Sequence, residues 1–98
     1  MLKKNYTRKG QACRVTFKHP NEENYKTAAL VGDFNDWDIK ACPMKRLKGG
    51  SFSVTASLEA AHSHSFRYLM DGDIWANDHD ADGYIANEYG SDDSIITV

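Results

Sequence analysis

Ser51–Leu58 reads SFSVTASL. Phe52, Val54, Ala56 and Leu58 share one parity, and Ser51, Ser53, Thr55 and Ser57 the other. Successive side chains of an extended chain point to opposite faces, so this segment is a strand with one buried and one wet face. The same alternation recurs on both sides of it. In CRVTFKH, Cys13, Val15 and Phe17 oppose Arg14, Thr16 and Lys18; in HSFRYLM, Phe66, Tyr68 and Met70 oppose Arg67 and Leu69. TAALVGDF and the closing SIITV are further β-rich runs, and no segment carries a helical stripe.

Turn chemistry separates these runs. Gly49-Gly50 stands between MKRLK and SFSVTASL, and Asp71-Gly72 between FRYLM and DIW. Both are two-residue hairpin signals, because such turns need positive φ at their central positions. HPNEEN and NDW are polar connections. Short strands at this spacing predict an all-β fold, an immunoglobulin-like antiparallel β-sandwich of about 7–8 strands. With 98 residues the chain is expected to form a single domain over 1–98, with residues 1–11 as a loosely held N-terminal arm. There is no internal repeat and no low-complexity linker.

Composition narrows the function classes. The chain is 41% hydrophobic and 11% aromatic, as a globular protein is. No apolar run approaches the roughly 18–20 residues of a membrane span. The opening MLKKNYTRKGQACRV has lysines but no apolar core, so it does not read as a secretory signal. Two cysteines, Cys13 and Cys42, are too few for a disulfide framework, and the expected compartment is a reducing cytoplasm. Eleven of the twelve Lys and Arg precede Gly49, while nine of the fourteen acids follow it. Strands from the two halves interleave in a sandwich, so a mixed surface is expected, not a basic nucleic-acid face.

Asp73–Gly90, DIWANDHDADGYIANEYG, holds five acids and three aromatics. Asp78, Asp80, Asp82 and Gly83 match the first half of a calcium loop, but Tyr89 stands where the bidentate Glu at position 12 belongs, and the flanks are strand-like. A pair of catalytic carboxylates needs a cleft that desolvates one of them, for which a sandwich of this size has little room. No nucleophile-and-base pattern surrounds any Ser or Cys, and His19, His62, His64 and His79 lack zinc spacing. No metal, cofactor or catalytic residue is therefore assigned. Trp37, at the end of GDFNDW, and Trp75, after the Asp71-Gly72 turn, sit beside polar turn residues. Such rings either fill the core or lie open as stacking surfaces for a pyranose, and composition alone leaves the two readings level.

LVGDFNDWD, SFSVTASL, FRYLMDGDIWANDHDADGY and NEYGSDDSIITV, in that order, resemble carbohydrate-binding module family 48. These are the isoamylase N-terminal, or early-set, domains of branching and debranching enzymes of glycoside hydrolase family 13. The family also includes the glycogen-binding domain of the AMP-activated kinase β-subunit. The likeness runs from about Cys13 to Val98. It implies an early-set sandwich that binds an α-1,4-glucan such as glycogen, starch or a maltooligosaccharide, without catalysis of its own. Carried over residue by residue, it makes Trp37 and Trp75 the two sugar platforms. Arg67 becomes a basic strand residue able to bridge vicinal hydroxyls, Tyr89, Ser91 and Asp93 a late loop reaching over the glucan, and Asn77 a polar neighbour of Trp75. The Asp-rich stretch then becomes the rim of the sugar site.

Three departures from the family pattern stand out. Tyr89 replaces an aliphatic residue of kinase-subunit members, Asp93 replaces an amide and so loses donors, and LEAAHSH lacks a Gly found in many relatives. The chain is expected to act as a stand-alone module with no catalytic domain following it. The alternative is a structural or protein-interaction early-set domain that pairs with a separately encoded glycoside hydrolase or another partner.

Overall fold

The computed structural model describes residues 2–87 and 90–98. Among them are nine strands and no α-helix. One sheet contains β1 (Leu2–Tyr6), β2 (Ala12–His19), β4 (Lys45–Arg46) and β5 (Phe52–Glu59), in the order β1-β2-β5-β4. The other contains β3 (Ala28–Gly32), β6 (Ser63–Met70), β8 (Gly83–Ala86) and β9 (Asp92–Thr97), in the order β3-β6-β9-β8; β7 (Ile74–Ala76) also pairs with β6. All pairings are antiparallel. The expected β-sandwich is present, and the count exceeds 7–8 because β4 and β7 are only two and three residues long.

The core forms where the alternating faces meet. Cys13, Val15 and Phe17 from β2 and Phe52 and Leu58 from β5 pack with Leu30, Phe66, Tyr68, Met70 and Ile96 of the opposite sheet. The Phe17 and Phe66 rings bridge the layers edge to face, 5.1 Å apart. Each such side chain, fully buried, contributes about 1.5–3 kcal/mol relative to exposure. Within the segment read as an arm, Leu2–Tyr6 form the edge strand β1, paired from Leu2↔Phe17 to Tyr6↔Cys13. Its lysines, Lys3 and Lys4, are the charges that discourage further strand addition at an open edge.

Two local expectations change. The Gly49-Gly50 turn is longer than two residues: Leu47 N donates to Ser51 O at 2.7 Å, so Lys48, Gly49 and Gly50 form the loop, with Gly50 at φ +94°. Three residues also separate the paired Met70 and Ile74. The turn proper closes there by Asp73 N donating to Met70 O at 3.2 Å, with Asp71 at φ +51° and Gly72 at φ +80°. Leu69, on the face opposite the core, is nevertheless buried, as is Val31. Leu69 lies opposite Trp75 and Val31 opposite Arg67, so larger cross-strand neighbours shelter both.

Candidate functional site

Trp37 is placed by the turn that ends β3. A side chain at Gly32 would meet Phe34 Cε2 at 2.4 Å and Ser65 O at 2.6 Å, so only glycine lets the chain pass there. The 3-10 turn Asp33–Asn35 follows. The Asn35 side chain accepts from Gly32 N at 3.0 Å and donates to Leu30 O at 3.1 Å, clamping the turn to β3. Asp33 Oδ2 accepts from Ser65 N at 3.0 Å and ties it to β6. Trp37 N then donates to Gly32 O at 2.8 Å, and Asp36 and Trp37 both take positive φ, +57° and +56°. A left-handed backbone costs a bulky residue about 1–3 kcal/mol, and it persists only when the surroundings over-determine it. Here they do, and the indole stands 39% exposed.

The second half of the site rises from the outer face of the β3-β6-β9-β8 sheet. Trp75 pairs with Leu69 across the β6–β7 hairpin, which puts it on the same face as Arg67. Trp75 is 43% exposed, and the Arg67 guanidinium carbon lies 5.6 Å from its ring centre, within cation–π range. Arg67 Nη1 donates to Ser91 Oγ at 3.3 Å. Arg67 Nε is buried and has no hydrogen-bond partner among the described residues. A buried donor left unmade costs about 1–3 kcal/mol.

Trp37, Arg67, Trp75, Ser91 and Asp93 line one open groove of about 890 Å³. Five of the seven residues assigned from the sequence thus converge. Tyr89 lies outside the described residues. Asn77 lines a separate, smaller pocket of about 150 Å³; its amide donates to Asp92 O at 2.8 Å and accepts from Ser94 Oγ at 2.9 Å, linking β7 to β9. Two further residues of the groove went unnoticed in the sequence, Ile39 and Asn87. Ile39 projects from a turn that Asp38 stabilises by accepting from Lys40 N at 2.9 Å. Asn87 N donates to Ser91 O at 2.8 Å, and its side chain accepts from Ser91 N and donates to Asp93 Oδ1, both at 3.2 Å. The Asn at the start of NEYGS, four residues before Ser91, is a turn-forming signal that could have revealed this.

Comparison with protein families bears directly on this groove. The family model for Carbohydrate-binding module 48 (Isoamylase N-terminal domain) matches residues 22–89, more than half of the chain. The chain belongs to carbohydrate-binding module family 48. Trp37, Arg67 and Trp75 of this module 48 chain lie within the matched span, while Ser91 and Asp93 lie beyond it. A comparison with curated proteins finds no match.

The Asp-rich stretch of the module does less at the groove than its composition suggested. Only Trp75 and Asn87 of Asp73–Asn87 line it. Asp78 is buried: its carboxylate accepts from Tyr68 OH at 2.6 Å and from Asp80 N at 2.7 Å, its N–H donates to Ser94 Oγ at 3.0 Å, and its carbonyl accepts from Tyr84 OH. Burial first, then the charge and hydrogen bond of Asp78, push the Tyr68 hydroxyl far above its ordinary range. Asp82 accepts from Lys4 Nζ at 2.7 Å and from Thr97 N at 2.8 Å. Among the described residues no three His, Cys, Asp or Glu side chains gather as a metal site. These aspartates staple the loop to the sandwich and do not line the groove.

Proposed function

We propose that this carbohydrate-binding module holds an α-1,4-glucan, as glycogen, starch or maltooligosaccharide, without transforming it. The supporting observation is the pair Trp37 and Trp75, each about two-fifths exposed, lining one groove with Arg67 between polar groups. The indole faces take the apolar faces of two glucose rings. The Arg67 Nη groups donate to ring hydroxyls, and Ser91 and Asp93 accept from them. By analogy with bases on aromatic side chains, each stacked ring contributes about 1–3 kcal/mol. Two platforms with a few solvent-competed hydrogen bonds give about 4–8 kcal/mol gross, a millimolar to micromolar site.

The test is titration with maltoheptaose followed by NMR. Signals of Trp37, Arg67 and Trp75 are expected to shift, and Trp37→Ala with Trp75→Ala to abolish the shifts. Unchanged spectra at tens of millimolar sugar overturn the reading. Incubation of the purified chain with maltodextrin is expected to release no new reducing ends. The free thiols Cys13 and Cys42 support placing the module in a reducing cytoplasm, where it would bring a partner such as a glycoside hydrolase to the polymer.

A further inference from the structure

The sheet face that carries Arg67 and Asp93 extends beyond the groove they line. Phe66 pairs with Ser94, and Ser94 with Tyr84, so their outward neighbours stand in one row across the sheet. That row is Val31, Arg67, Asp93 and Ile85, with Val31 opposite Arg67 and Asp93 opposite Ile85. Ile85 lies on β8, the last strand of this sheet, and is 54% exposed, the most open of the large apolar side chains among the described residues. It stands two strand spacings beyond Arg67, roughly 10 Å. The adjacent outward row holds Ser65, Ile95 and Gly83. Ile95 is half-buried, and a Cβ at Gly83 would lie 3.9 Å from its Cβ. Because Gly83 has no side chain, Ile95 stays open toward the sheet edge.

We propose that the sugar track continues over Asp93 onto the shelf formed by Ile85 and Ile95, which takes further glucose units of the same chain. This rests on the glucan reading of the groove and adds the direction and extent of the bound polymer. The row alternates a cation, an acceptor and an apolar side chain. That alternation suits a pyranose chain, which presents C–H faces and hydroxyls in turn. A protein-docking patch instead concentrates apolar groups at its centre and leaves charges at the rim. Continuity with the groove singles out the sugar as the occupant.

The measurement is the ratio of maltoheptaose to maltotriose affinity by titration calorimetry on the full chain. Ile85→Thr keeps a β-branched side chain on an edge strand and removes apolar contact, so the ratio is expected to fall about two- to fourfold. Ile85→Trp adds a stacking face, and the ratio is expected to rise about tenfold. If Ile85→Trp fails to fold by circular dichroism, the threonine variant decides. A ratio unmoved by either variant, while Trp37→Ala still loses both sugars, overturns the extended track and leaves the groove reading standing. A wild-type chain that binds neither sugar overturns both.

Discussion

Gly32 and Asn35 show how single residues fix the place of Trp37, five and two positions further on. The backbone of Gly32 is extended, which any residue tolerates; it is the closeness of Phe34 and Ser65 that demands glycine. Phe34 is held in turn against Phe17 at 6.1 Å and His64 at 6.0 Å, so it has little room to retreat. Gly32→Ala is therefore expected to destabilise the fold by about 1–3 kcal/mol, the usual cost of overpacking, measured as a shift in the urea unfolding midpoint. An unchanged midpoint would show that the Phe34 ring moves aside freely. GDFNDW could be read as a polar turn ending in an aromatic. That Asn35 clamps it from both sides could not, because the partners are main-chain atoms brought near by the end of β3.

Hairpins organise the element scale. The β6–β7 turn presents Trp75, and Asp71 at its head also accepts from Lys26 N at 2.8 Å and Thr27 N at 3.0 Å, fastening the turn to the start of β3. Asp71→Ala removes Oδ1, the acceptor of both bonds, and places alanine at positive φ. It is expected to cost about 1–3 kcal/mol, while Asp71→Asn, which keeps an acceptor and tolerates the left-handed region, should retain most of the stability. Thermal melts of the two variants check this, and equal losses would refute the role of the acceptor. The Asp-Gly pair and the flanking alternation made this hairpin legible beforehand. The number of intervening residues was not, since strand register depends on partners as well as on the turn.

Across the whole molecule, two ionisable groups make stability respond to pH in separate windows. His19 is buried beside the Tyr68 ring, and its Nδ1 accepts from Asn21 N at 3.0 Å. Desolvation holds its pKa below the usual 6.5, the nearby Glu23 and Asp78 charges notwithstanding. The unfolded chain thus takes up this proton first, and stability is expected to decline as pH falls below about 6.5 until the folded form protonates too. Asp82 acts in the same direction in a more acidic window. Burial raises its pKa, but the hydrogen bonds from Lys4 and Thr97 N and the Lys4 charge outweigh this and leave it lowered. Its contribution is present above the ordinary value of 3.8 and lost as pH falls through the folded value. Urea midpoints from pH 7.5 to pH 2.5 should show both declines, with His19→Gln flattening the first and Asp82→Asn the second. A variant curve parallel to wild type in its own window would refute that assignment.

Alternation of apolar and polar residues determined the strands, their inward faces and the sandwich, because one-sided burial imposes a period of two on any half-wet strand. The ordered blocks around Trp37 and Trp75 carried the family. Only the tertiary structure decided that both indoles face water in a common groove and that Arg67 keeps an unmatched donor. It also decided that Ile39 and Asn87 join them, while Asp78 and Asp82 serve the scaffold. Those outcomes depend on which side chains from distant segments meet. A pattern local in sequence fixes the face on which a residue lies; the surroundings on that face are set by the packing of the other strands and loops.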